Sequence, residues 1–137
     1  MSDAEADELQ KIRERKRKRL EERRDGGGST EAPGEPVKVD GEAHLQEVLD
    51  SHDVVLVDCY ADWCGPCQMM EPTIDALAAE TDAVVAKVDV DAQQGLAQQL
   101  GAQGVPTLVL YSNGEPVNRM VGAQDRGTLE SLISQAG

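Results

Sequence analysis

From Val37 onward the chain alternates dense apolar runs with stretches in which apolar residues recur at helical spacing. Val37 to Val39 predicts a short strand, and Glu42 to His52 an amphipathic helix with Leu45, Val48 and Leu49 on one face. Val54 to Tyr60 (VVLVDCY) is apolar and β-branched at most positions, which predicts a strand buried on both faces at the centre of a sheet. Residues 64–80 predict a long helix, kinked at Pro72 because proline lacks the N–H and crowds the preceding turn. Ala83 to Val90 predicts another strand, Ala92 to Leu100 a short helix, and Thr107 to Tyr111 a further strand. Ser112-Asn113-Gly114-Glu115 carries the Asn-Gly signal of a tight hairpin, so Pro116 to Val121 is expected to return antiparallel. Arg126 to Gln135 closes the pattern as a helix with Leu129, Leu132 and Ile133 on one face. The order β-α-β-α-β-α-β-β-α predicts an α/β fold. Its central sheet is mixed, mostly parallel with a C-terminal antiparallel hairpin, and helices flank both faces. With no Phe in the chain, Val, Leu and Ala must fill the core.

The first 36 residues follow different rules. Asp7 to Arg24 consists of strong helix formers, but Leu9, Ile12 and Leu20 are its only apolar residues. Acid–base neighbours can support such a helix locally, yet with no face to bury it is marginal in water. Asp25 to Pro36 (DGGGSTEAPGEP) has the composition of a flexible linker. The expected organisation is a charged, flexible arm and Gly/Pro-rich linker over residues 1–36, then one domain over residues 37–137. Lys11 to Arg24 holds nine basic and three acidic residues. It is either a solvated arm or a contact for an anionic partner such as nucleic acid, a membrane face or an acidic protein.

Composition narrows the function classes. The chain has 137 residues, 39% of them hydrophobic, and no apolar run approaches the roughly 20 residues that cross a bilayer. Its first 25 residues lack the apolar stretch of about 7–15 residues that a secretory signal needs, so a cytoplasmic location is expected. Net charge is -13, and it is unevenly placed: residues 1–25 hold nine basic and eight acidic groups, residues 26–137 four basic and eighteen acidic. So acidic a domain disfavours nonspecific binding to nucleic acid, which requires Lys and Arg at phosphates. Two explanations fit the charge: an ordinary acidic protein, or a halophilic one whose carboxylates hold water while salt screens their repulsion.

The candidate chemistry lies in Trp63-Cys64-Gly65-Pro66-Cys67, directly after the central strand and opening the long helix. Unpaired N–H groups and the macrodipole at a helix N-terminus favour a thiolate at Cys64, the candidate nucleophile. Cys67 lies one turn on, close enough to attack a mixed disulfide and resolve it. Pro66 suits an early helical position, where its missing N–H costs nothing, and Gly65 leaves room for another polypeptide at the sulfur. Trp63 precedes a cysteine expected to be exposed, so it is itself not expected in the deep core.

A lone C-x-x-C can also be half a zinc site, which needs two further ligands. Only Cys59, His44 and His52 remain, with Cys59 inside a strand and the two histidines eight residues apart on a helix, so no metal is expected. Three cysteines do not form a structural disulfide framework in a cytoplasmic chain, and Cys59 reads as a small buried hydrophobe. Asp58, within VVLVDCY, reads as a buried carboxylate whose pKa rises by desolvation, so that it can accept the Cys67 proton; the alternative is a satisfied strand-end Asp.

VDCYADWCGPC from Val57 to Cys67, with GVPT from Gly104 to Thr107, resembles the thioredoxin family, and Asp58, Lys87, Pro106 and Gly122 fall at matching places. The likeness covers about residues 37–137 and leaves the arm aside. It implies a thioredoxin fold and a thiol-disulfide oxidoreductase that reduces protein disulfides through a reversible Cys64-Cys67 dithiol/disulfide. No bound cofactor is needed, and a thioredoxin reductase re-reduces the pair. It further implies a cis Pro106 packed against the cysteines, a buried Asp58 beneath them, and Lys87 tuning that Asp. Trp63, Gly65, Pro66, Val105, Thr107 and Gly122 fall on the family's client-docking surface, where an extended peptide pairs beside the cis-proline. Two departures stand out. Gln68 replaces a common Lys or Arg, removing one stabiliser of the thiolate, and Tyr60 replaces a common Trp. Two other readings remain open: a redox domain that serves as a binding module localised by the basic arm, and a dedicated oxidant or isomerase. Gly-Pro between the cysteines resembles the reducing members.

Overall fold

The computed structural model describes residues 33–137. The helix expected over Asp7 to Arg24, and most of the linker, lie outside the described residues. The elements are β1 (Val37–Lys38), α1 (Gly41–Ser51), β2 (Val54–Tyr60), α2 (Gly65–Glu80), β3 (Val84–Asp89), α3 (Gln94–Gln99), β4 (Thr107–Ser112), β5 (Glu115–Val121) and α4 (Arg126–Ala136). From Val37 onward each expected element is present, with its ends within two residues of those expected. Helix α2 runs unbroken through Pro72.

The five strands form one sheet in the order β1-β3-β2-β4-β5. β3 pairs parallel with β1 and β2, whereas β4 pairs antiparallel with both β2 and β5. Four strands therefore share one direction and β4 alone opposes them. The hairpin turns at Asn113 and Gly114, both at positive φ (54° and 83°), the geometry that makes Asn-Gly the preferred pair there. Its register shifts at Leu110/Tyr111, so one extra β5 residue, Val117, is accommodated beside Pro116.

Strand alternation sorts the core into two layers. Val55, Val57 and Cys59 of β2 pack with Val84, Ala86 and Val88 of β3 under Leu45, Val48 and Leu49 of α1 and Leu96 of α3. Val54 and Leu56 pack on the opposite face with Met70, Ile74 and Leu77 of α2 and Leu129 and Ile133 of α4. Ile74 and Leu77 are almost wholly enclosed, and truncating such a side chain to Ala costs roughly 2–5 kcal/mol. Helix α4 is capped by Asp125, which accepts the Thr128 N–H at 2.9 Å, and Arg126 ties it to Glu80 of α2. The same alternation puts Asp58 and Lys87 on the α2 face, where the candidate site forms.

Candidate redox site at the start of helix α2

After Tyr60 the chain turns through Ala61, Asp62 and Trp63 into α2. The Cys64 N–H donates to the Ala61 carbonyl at 3.1 Å, and the Gln68 amide side chain donates to the Asp62 carbonyl at 2.7 Å. Gln68 thus brings no charge to the cysteines but binds the first helical turn to the loop before it. Cys64 is the N-cap residue, its Sγ accepting the Cys67 N–H at 3.2 Å, with Pro66 in the first turn. Cys64 and Cys67 are joined as a disulfide across a Cα–Cα distance of 5.3 Å.

The expectation of an exposed Cys64 is corrected. Cys64 and Cys67 are 4% and 7% exposed, because their sulfurs pack with Ala61 in a small apolar cluster bordered by Tyr60, Val90 and Val105. The exposed position belongs to Trp63, at 70%. Its indole Nε1–H donates to an Asp91 carboxylate oxygen at 2.9 Å, so one polar edge is anchored while the ring faces solvent. Asp91 sits in the turn after β3, where the Asp89 carboxylate accepts the N–H groups of Asp91 and Ala92. A Cβ built at Gly65 meets nothing within 4 Å, leaving the approach to the cysteines open at that point.

On the face of the sheet that α2 covers, Asp58 of β2 is 5% exposed. Burial raises its pKa to about 6; the Lys87 charge pulls it down and the Glu71 carboxylate pushes it up. Lys87 stands beside Asp58 in the parallel β2/β3 register. Its ammonium lies 4.5 Å from the centre of the Tyr60 ring and 4.0 Å from Glu71 Oε1. Sequence reasoning does not single out Glu71, although its position four residues after Cys67 on a helix is a usable signal.

The opposite wall begins at the cis Val105–Pro106 bond. Val105 borders the cysteine cluster, Pro106 is buried, and Thr107 opens β4 with its hydroxyl donating to the Gly104 carbonyl. The Gly122 N–H donates to the Pro106 carbonyl at 2.8 Å, with Gly122 at φ +91°. The structure therefore gathers Trp63, Gly65, Pro66, Val105, Pro106, Thr107 and Gly122 around one end of the sheet.

Cys59 lies on the other face, fully enclosed with α1 and α3 residues, and burial pushes its thiol up to about 12. It therefore cannot join Cys64 and Cys67 in a ligand set. His44 Nδ1 accepts the Asp40 N–H at the start of α1. Among the described residues no group of three or more His, Cys, Asp or Glu could hold a metal ion, and no helix is long and apolar enough to cross a membrane.

The family model described as thioredoxin matches residues 35–135, nearly the whole described part. The chain belongs to the thioredoxin family. A thioredoxin of Mycobacterium bovis is 42% identical over 100 residues, covering 72% of this chain and 86% of that protein. A thioredoxin of Chlamydia muridarum is 47% identical over 83 residues, covering 60% and 81%. Among solved structures, a mutant thioredoxin from Halobacterium salinarum NRC-1 superposes with a TM-score of 0.74 at 54% identity, covering 76% of this chain and 92% of that one. Like other thioredoxins, this chain is a thiol-disulfide oxidoreductase that works through a redox-active cysteine pair without a bound cofactor. The reading as a binding module is not favoured.

Proposed function

We propose that the chain reduces disulfides of cytoplasmic client proteins, with Cys64 as nucleophile and Cys67 as resolving thiol. The observation that carries this assignment is the Cys64-Cys67 disulfide at the first turn of α2, beside Val105, with Asp58 buried on the sheet face that α2 covers. The Cys64 thiolate attacks one sulfur of the client disulfide, forming an intermolecular S–S bond and releasing the other client sulfur as a thiolate, which takes a proton from water. Asp58 accepts the proton of Cys67. The Cys67 thiolate then attacks Cys64 Sγ, closing the internal disulfide and expelling the second client thiolate, so two electrons pass to the client. Lys87 tunes Asp58 through its charge. Trp63, Gly65, Pro66, Val105, Thr107 and Gly122 form the docking surface, with cis Pro106 at its centre.

A thioredoxin reductase returns the electrons; a homologue in Mycobacterium leprae, named a bifunctional thioredoxin reductase/thioredoxin, is 38% identical over 98 residues and supports such a partner. The strongly acidic domain and the likeness to a Halobacterium salinarum protein support the halophilic reading. The basic segment from Lys11 to Arg24 supplies the charge to hold an anionic partner.

The roles of the two cysteines separate in a trapping experiment. With a disulfide-containing client, Cys67→Ser accumulates a mixed disulfide through Cys64, identified by mass spectrometry after proteolysis. Accumulation through Cys67 in a Cys64→Ser variant, and none through Cys64, would reverse the assignment.

A further inference from the structure

We propose that Glu71 is a positioning residue of the exchange reaction: it draws the Lys87 ammonium to the mouth of the site, beside the Tyr60 ring and away from full pairing with Asp58, and so governs how readily Asp58 takes the Cys67 proton. The inference rests on the reading of Asp58 as that proton's acceptor.

Residues four apart on a helix lie on one face, so Glu71 sits one turn beyond the resolving sulfur of Cys67. The β2/β3 register sets Lys87 beside Asp58, and Lys87 is the only Lys or Arg between Lys38 and Arg119. One cation therefore serves two carboxylates and an aromatic ring. Its Nζ is 4.0 Å from Glu71 Oε1 and 4.5 Å from the Tyr60 ring centre, while Asp58 is enclosed by the sheet and Glu71 is 58% exposed. A lysine wholly committed to Asp58 would hold that carboxylate ionised and weaken it as a base. Sharing Lys87 with Glu71, and adding the Glu71 charge itself, works the other way.

The charges that bear on Asp58 are Lys87 of β3 and Glu71 of α2, while Asp89 at the end of β3 and Asp62 in the loop before α2 add to the field at Tyr60. The packed residues of β4 and α4 here are Leu108 and Leu129. Burial is the first cause that disfavours ionisation of Tyr60, and Asp89, Asp62, Asp58 and Glu71 add to it. Gln68 stands at the start of α2 without a compensating positive charge.

The test follows the Asp58 carboxyl carbon by NMR titration in the oxidised full-length protein, its signal assigned with Asp58→Asn. All variants are compared at one KCl concentration at which their spectra are native. Glu71→Gln is expected to lower the Asp58 midpoint by about half a pH unit, the size left to an exposed carboxylate after solvent screening. Glu71→Asp is expected to restore most of that shift, and the acid limb of the turnover profile should move with the midpoint. An unmoved midpoint in a natively folded Glu71→Gln protein overturns the role of Glu71, whatever its activity. A midpoint that moves while the turnover profile stays fixed, in this variant and in Asp58→Asn alike, overturns the underlying reading of Asp58 and the proposal with it.

Discussion

Asp58 and Lys87 stand side by side on adjacent parallel strands, both on the face covered by α2, yet the lysine's ammonium reaches outward to Tyr60 and Glu71. The buried carboxylate is thus only partly compensated. Desolvation outweighs the attraction of Lys87 and leaves its pKa at about 6.

That imbalance has a cost in stability with a definite sign. Because the pKa in the folded protein lies above the ordinary value of 3.8, the penalty is absent below that value and fully present above about 6. Asp58→Asn is therefore expected to stabilise the oxidised protein at neutral pH by about 3 kcal/mol, a gain that fades as pH falls through this window. The same variant should slow resolution of the mixed disulfide by about 100-fold and remove the acid limb near pH 6. Denaturant titrations at pH 4 and 8 and single-turnover kinetics check both, and a variant destabilised at pH 8 would contradict the buried-charge account.

The redox motif is legible in the sequence because its parts are local: two cysteines one turn apart, and a helix starting just after a β-branched run. Asp58 is legible for the same reason, as a charge inside that run. The contacts of Glu71 and Asp91 are not, since each depends on register. Only when β2 and β3 pair with Tyr60 opposite Asp89 does the turn holding Asp91 reach Trp63. The antiparallel pairing of β4 against β2 is likewise hidden, because element order alone does not give strand order. A place in a turn predicts exposure for Cys64, but in the disulfide it packs under Val105, more than forty residues away in the chain.

Trp63 is the only tryptophan, so its fluorescence reports on the site without interference. Asp91→Ala removes the hydrogen bond to the exposed indole, and the anisotropy of Trp63 is expected to fall. Stability should change by less than about 1 kcal/mol, since the bond is exposed to water. If the ring is part of the client surface, KM for a protein disulfide rises while kcat is kept. Unchanged anisotropy and KM would show that the bond does no positioning.

Gly122 combines φ +91° with an N–H donated to the Pro106 carbonyl, and a Cβ there would meet nothing within 4 Å. The cost of Gly122→Ala is therefore conformational rather than steric crowding by neighbours, about 1–2 kcal/mol. Thermal unfolding measures it, and a neutral effect would mean that the backbone relaxes to a negative φ.

Cys59 has neither access nor thiolate character at neutral pH. After reduction, iodoacetamide is expected to modify Cys64 while Cys59 stays unlabelled until the protein unfolds. Cys59→Ala should keep disulfide reductase activity and lose about 1 kcal/mol of stability from the vacated volume. Rapid labelling of Cys59 in the native protein, read by peptide mass spectrometry, would contradict its enclosed position.

The most direct measurement of the central claim is reduction of insulin disulfides with dithiothreitol as electron donor, at low and at molar KCl, beside Cys64→Ser and Cys67→Ser. The dithiol mechanism predicts catalysis by the parent protein and its loss in both variants, and the halophilic reading predicts that this activity persists in molar KCl. Full activity in the Cys64→Ser variant, or a parent protein inactive at every salt concentration, would contradict it.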